Sequence, residues 1–142
     1  MTPEQVSLVQ NSFEKVRPIA VTAAQLFYDR LFEIAPEVQP LFTGDIKEQG
    51  RKLMTMLATA VASLDKIDQI LPAVQELGRR HGTYGVRDEH YGLVGEALLW
   101  TLERGLGNDF TPDVKDAWAV VYGTLAQTMQ DAVHGQAARA AQ

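Results

Sequence analysis

Residues 67–82 read IDQILPAVQELGRRHG, and one histidine in this stretch governs the reading of the whole chain. Ile70, Leu71, Val74 and Leu77 recur at the period of one face of an α-helix, which predicts a helix over Ile67–His81. His81 follows Leu77 by four residues, so it shares the apolar face and points inward. Gly82 and Gly85 are expected to end the helix, because glycine tolerates the left-handed backbone of a helix stop. A lone inward histidine is more often a satisfied core residue than a ligand. Its surroundings have to decide.

Before this stretch, Leu53, Met56, Leu57, Ala60, Val61 and Leu64 form another helical stripe, over Asp45–Leu64. At the start, Thr2, Pro3 and Gln5 have the grammar of a capped helix, which Val6, Val9, Phe13 and Val16 carry to Pro18. Leu26, Phe27, Leu31 and Phe32 mark a helix over Ile19–Ala35, closed by Pro36. Pro36–Phe42 leaves room for one or two turns, and Thr43-Gly44-Asp45 is a break. After His81, Tyr91, Val94, Leu98, Leu99 and Leu102 carry a helix over Asp88–Leu106, with Gly105 and Gly107 as its stop. Thr111-Pro112-Asp113 opens the last helix, which holds Trp118, Val121, Tyr122, Leu125 and Met129. No strand pattern or internal repeat interrupts this series. The expectation is an all-α chain of six main helices plus a short turn-like one, crossed irregularly around a pocket.

A chain of 142 residues suits one domain, residues 1–142, with a core over 3–134 and a frayed tail over 135–142. Its 46% apolar and 22% charged residues are ordinary for a globular protein. A net charge of −5 argues against nucleic acid and anionic membranes as partners. With no cysteine, disulfides, thiolate metal sites and thioether-linked cofactors are excluded. The longest uncharged run, Ala117–Gln130, has 14 residues, short of the ~20 that span a bilayer. The opening Met-Thr-Pro-Glu lacks a signal-peptide pattern, so a cytoplasmic location is expected.

Two other histidines carry bland readings: His134 as a residue of the last helical turn, and His90 as a solvated neighbour of Glu89. The polar residues near the apolar stripes are more informative. Gln49, Lys52, Leu53 and Met56 share one helix face, and Tyr28, Tyr91 and Tyr122 fall on inward stripes. Each tyrosine alone is explained as a buried ring with a partnered hydroxyl. Together they suggest an aromatic cavity with a few convergent polar groups, the usual build of a cofactor site. No zinc-protease, di-iron, dinucleotide-loop or nucleophile-elbow motif competes.

The segments LFYDRLF (26–32), PEVQPLF (36–42), QGRKL (49–53), RRH (79–81), EHYGLVG (89–95) and DAWAVVYG (116–123) resemble the bacterial single-domain globins and the haem domain of flavohaemoglobins. Their order agrees, as do the 32 residues from Gln49 to His81 and the 10 from His81 to Tyr91. The resemblance implies a globin fold binding haem b, with His81 as the iron ligand. It implies Phe42 wedged against the haem, a distal pocket of Tyr28, Gln49 and Leu53, and Lys52 and Arg80 meeting the propionates. Met56, Leu77, Val86, Tyr91, Val94 and Tyr122 would line the rest of the slot. One position departs from the flavohaemoglobin pattern. The glutamate expected on the last helix, behind the axial histidine, is Val133 here, and Asp131 is about 200° away around the helix.

Reversible O2 binding, as carrier or store, is the implied activity. The alternative is oxidation of NO with O2, which would call for electrons from a separate reductase. A sensor would need an output domain for which the chain has no room.

Overall fold

The computed structural model describes residues 1–42, 44–83 and 86–141, without the side chains of 83 and 135–141. Thr43 and Gly85, both assigned to breaks from the sequence, and Gln142 lie outside the described residues. Among the described residues six α-helices follow one another: α1 Pro3–Val16, α2 Ala20–Ile34, α3 Ile46–Ala62, α4 Ile67–Thr83, α5 Asp88–Leu106 and α6 Pro112–Ala141. The short helix expected before the first break is a 3-10 helix over Pro36–Leu41. Among the described residues there is no strand.

Local chemistry explains most of the boundaries. The Thr2 hydroxyl accepts from Gln5 N–H at 3.1 Å and Gln5 Oε1 accepts from Thr2 N–H at 2.9 Å, a reciprocal cap that satisfies two otherwise unpaired donors. Asp45 caps α3 through Lys47 N–H at 3.0 Å. Gly107, at φ 56°, supplies the left-handed residue after α5. Gly105 sits inside that helix, close to Ile19. Gly82, expected to stop α4, is likewise helical, because α4 continues to Thr83. The backbone of α6 stays helical past Gly135 to Ala141, where a frayed tail is expected; alanine, glutamine and arginine are all good helix formers.

The core lies among α1, α2, α5 and α6, around Val9, Phe13, Phe27, Leu31, Leu98, Leu102, Trp118 and Val121. Trp118 is fully buried, and its indole N–H donates to Ser12 Oγ at 2.8 Å, so a polar atom deep in the core has its partner. Leu31 is 1% exposed. Truncating such a residue to alanine costs ~2–5 kcal/mol. Gly50 lets α3 approach α2, where a β-carbon would already touch that of Ala24 at 3.0 Å. α4 packs along α6. Among the described residues no helix is long and apolar enough to cross a membrane.

Candidate functional site

The apolar faces of α3 and α4 are covered less than the core. Val61 and Leu64 are buried, but Leu53 and Leu57 are half-buried, as are Ile70, Leu71, Val74 and Leu77 along the whole stripe of α4. Met56, expected to face inward, is exposed at 37%. Two helices thus present continuous apolar surface that the polypeptide only partly covers, the arrangement of a cleft for an apolar ligand.

His81 stands at the α4 side of this cleft, half-buried, with Nδ1 2.8 Å from the carbonyl oxygen of Leu77. A carbonyl can only accept, so Nδ1 carries the proton of the neutral ring and the lone pair is left on Nε2. This bond within one helical turn fixes both ring orientation and tautomer. The carbonyl of His81 accepts from Val86 N–H at 3.0 Å, which ties the half-buried Val86 to the end of α4.

On the α2 and α3 side, Tyr28 is buried at 6% exposure inside an aromatic cluster. Its ring meets Phe27 edge-on at 5.1 Å and Phe42 edge-on at 5.3 Å, and Phe32 meets Phe42 at 5.5 Å. Phe42 reaches this cluster from the end of the 3-10 helix. Burial pushes the Tyr28 phenol up to about 12 from its ordinary 10.0. Its hydroxyl donates to the main-chain oxygen of Gln49 at 3.4 Å, a long bond that a better acceptor would displace. The tyrosine therefore touches Gln49 through its backbone, while the Gln49 amide nitrogen lies near Gly44. A small apolar cavity of about 20 Å³, lined by Phe27, Leu53, Met54, Leu57, Leu98 and Trp118 among others, adjoins this wall.

Between α6 and α5, the Tyr122 hydroxyl donates to the Tyr91 carbonyl at 2.6 Å. Gly95 makes room for the Tyr122 ring, which a β-carbon would approach to 2.9 Å. Burial, and then the neighbouring Tyr91, drive the Tyr122 phenol far above its ordinary range. The Tyr91 hydroxyl is buried without a partner among the described residues, and burial followed by the charge of Asp88 raises its pKa. Val94 is half-buried. Val133 lies against Gly82, the residue after His81, and Asp131 is exposed and accepts from Gln127 at 2.8 Å.

The charged residues stand apart from this interior. Lys52 is exposed, and Arg80, also exposed, lies 3.7 Å from Glu76 on its own helix. His90 is not solvated: it is 8% exposed, and its Nδ1 accepts from Arg87 N–H at 3.0 Å, capping α5. Since α6 outruns Gly135, His134 is not in its last turn; its Nε2 lies 2.8 Å from Asp88 Oδ2.

The globin family model matches residues 25–129, most of the chain and all of these elements from α2 into α6. The chain is a globin. Among curated relatives, the Flavohemoprotein of Bacillus subtilis is 31% identical over 125 residues, covering 85% of this globin but only 31% of the relative. The globin thus spans about a third of the length of the curated relatives it matches. Among solved structures, an engineered carbene transferase from Rhodothermus marinus, derived from a candidate nitric oxide dioxygenase, is 27% identical, with a TM-score of 0.89 over 100% of this chain and 99% of that one. A bacterial globin from Campylobacter jejuni shares the fold at 24% identity, with a TM-score of 0.81 over 95% of this chain and 98% of that one.

The cofactor of the family is haem, and the residues suit it. With Nδ1 bonded to the Leu77 carbonyl, the nitrogen of His81 left for a ligand is Nε2, the kind of donor that haem iron takes from a histidine. The half-buried stripes of α3 and α4 are the apolar walls a tetrapyrrole needs. Sequence reasoning missed Gly78 and Gly82 as contacts of α4 with α6, although a pair of glycines one turn apart inside a helical pattern is a signal of close packing.

Proposed function

We propose that this globin holds one haem b non-covalently through His81 Nε2 and binds O2 reversibly. The observation that carries the reading is the Nδ1 bond of His81 to Leu77 at 2.8 Å, on the same helix face as the half-buried Val74 and Leu77. When bound, haem supplies an iron centre with an open coordination position for a diatomic ligand. The chain's own residues then do three things. Phe42, Leu53, Met56, Leu77, Val86 and Val94, with Tyr91 and Tyr122, surround the group and exclude water. Lys52 and Arg80, both exposed, carry charges suited to propionates. Tyr28, whose present bond to Gln49 is weak, turns its hydroxyl toward the ligand, with Gln49 and Leu53 beside it. The expected location is the cytoplasm.

The test is the absorption spectrum of the reduced protein together with haem retention by His81→Ala. A five-coordinate spectrum, and loss of haem from the variant in imidazole-free medium that added imidazole reverses, is the expected result. A six-coordinate low-spin spectrum, or unchanged retention, overturns the assignment.

The likeness to flavohemoproteins and to an engineered nitric oxide dioxygenase candidate favours a second reading: oxidation of NO to nitrate with O2, sustained by electrons from a separate reductase. Mixing oxygenated protein with excess NO and NADH separates the two. The second reading expects one turnover without an added flavin reductase and many with it.

A further inference from the structure

α4 carries two glycines one turn apart, and both lie against α6. A β-carbon on Gly78 would stand 2.5 Å from the carbonyl oxygen and 2.6 Å from the Cα of Met129. Those are main-chain atoms, which cannot yield unless α6 itself moves. A β-carbon on Gly82 would stand 3.2 and 3.3 Å from the two γ-carbons of Val133, atoms at the end of a side chain. Four residues separate the glycines and four separate Met129 from Val133, so the two helices keep this close approach through a full turn. His81 sits about 60° around the helix from Gly78 and about 100° from Gly82, beside the seam and not within it.

We propose that Gly78 and Gly82 are positioning residues for His81: α6, through the Met129 main chain and the Val133 side chain, sets the height and tilt of α4, and so the direction in which His81 Nε2 enters the cleft. The inference rests on His81 being the axial ligand. The imidazole is tied to its own helix by the Leu77 carbonyl at 2.8 Å, so it cannot rotate to offset a shift of α4 without losing that bond. A displacement at the seam is therefore passed to Nε2. Glycine inside a helix is otherwise unfavourable relative to alanine, a cost that close packing explains.

The experiment uses the haem-loaded chain and reads the iron–imidazole stretching band of the reduced protein by resonance Raman. The variants are Gly78→Ala, Gly82→Ala, the double variant Gly82→Ala/Val133→Ala, and Gly123→Ala. A β-carbon on Gly123 would meet nothing within 4 Å, so that variant is the control. The expected result is a band moved by Gly78→Ala and moved less by Gly82→Ala. Trimming Val133 should return the Gly82→Ala band to the parent position, and Gly123→Ala should leave it in place. If Gly78→Ala fails to fold or to keep haem, the Gly82→Ala and double-variant pair decides alone. A Gly82→Ala band that coincides with that of the parent, or that Val133→Ala does not restore, overturns the proposal. A parent protein with no such band overturns the axial-ligand reading instead, so the two failures are distinguishable.

Discussion

Tyr122 and Tyr91 share one hydrogen bond between them: the Tyr122 hydroxyl donates to the Tyr91 carbonyl at 2.6 Å, and the buried Tyr91 hydroxyl has no partner among the described residues. The two phenol oxygens should therefore differ in value to the fold. Tyr122→Phe removes this bond, although the Tyr91 carbonyl keeps its helical partner within α5, and is expected to lower stability by ~0.5–1.5 kcal/mol. Tyr91→Phe removes an unpartnered polar atom and should be neutral or stabilising. Urea unfolding of the haem-free chain compares them, and equal losses would contradict the assignment.

On the α2 side, a hydrogen bond from Tyr28 to a partly negative ligand is worth ~1.5–3 kcal/mol, so its loss should speed O2 release by ~10–150-fold. Tyr28→Phe is expected to raise the dissociation rate in that range and to leave association nearly unchanged. Gln49→Leu should do less, because the substitution keeps the buried Tyr28 hydroxyl as donor. Flash photolysis and stopped-flow mixing give both rates. An off-rate unchanged in both variants would misplace the distal pocket.

Alkaline pH should weaken the fold through the same residues. Burial holds Tyr28 at about 12 in the folded chain against 10.0 when exposed, and shifts Tyr122 in the same direction. Below pH 10.0 both states keep these protons; between 10.0 and about 12 the unfolded chain releases what the folded chain retains, which favours unfolding. Stability is expected to fall as pH rises through that window. The fall should be shallower in Tyr28→Phe, measured by urea midpoints at stepped pH.

Val133 is beside Gly82, one residue from His81, and the resemblance aligns it with a glutamate of the flavohaemoglobin pattern. The His81 Nδ1 proton is instead held by an uncharged carbonyl, a weaker electron donor to the ring than a carboxylate. Peroxidase activity is accordingly expected to be low, and Val133→Glu should raise it. Peroxide-dependent oxidation of a phenolic dye measures both, and no gain in a variant that retains haem would count against the alignment of α6.

Much of the fold is legible one segment at a time, because helix period, caps and stops are local. The Thr2–Gln5 cap, the start of α3 at Asp45 and the Gly107 stop all follow from groups within a few residues of one another. The same local logic misreads Gly82 and Gly105. A glycine that breaks a helix and one that admits a neighbouring helix look alike until the neighbour is known, and Val133 and Ile19 are distant in sequence. His90 fails for a related reason. Its Nδ1 turns back to cap its own helix, a choice that packing allows and sequence does not reveal.

The sequence by itself determined the helical stripes, the inward face of His81 and the spacing that marks a globin, since these depend on residue type and period alone. Only the tertiary structure decided what those faces meet. It brought Phe42 edge-on to Tyr28 at 5.3 Å across the end of a 3-10 helix, and linked Tyr28 to the backbone of Gln49 and not to its amide. It also pressed Gly78 onto the Met129 main chain. Such contacts join residues far apart in the chain, and their geometry depends on how whole helices cross, which no single stretch encodes.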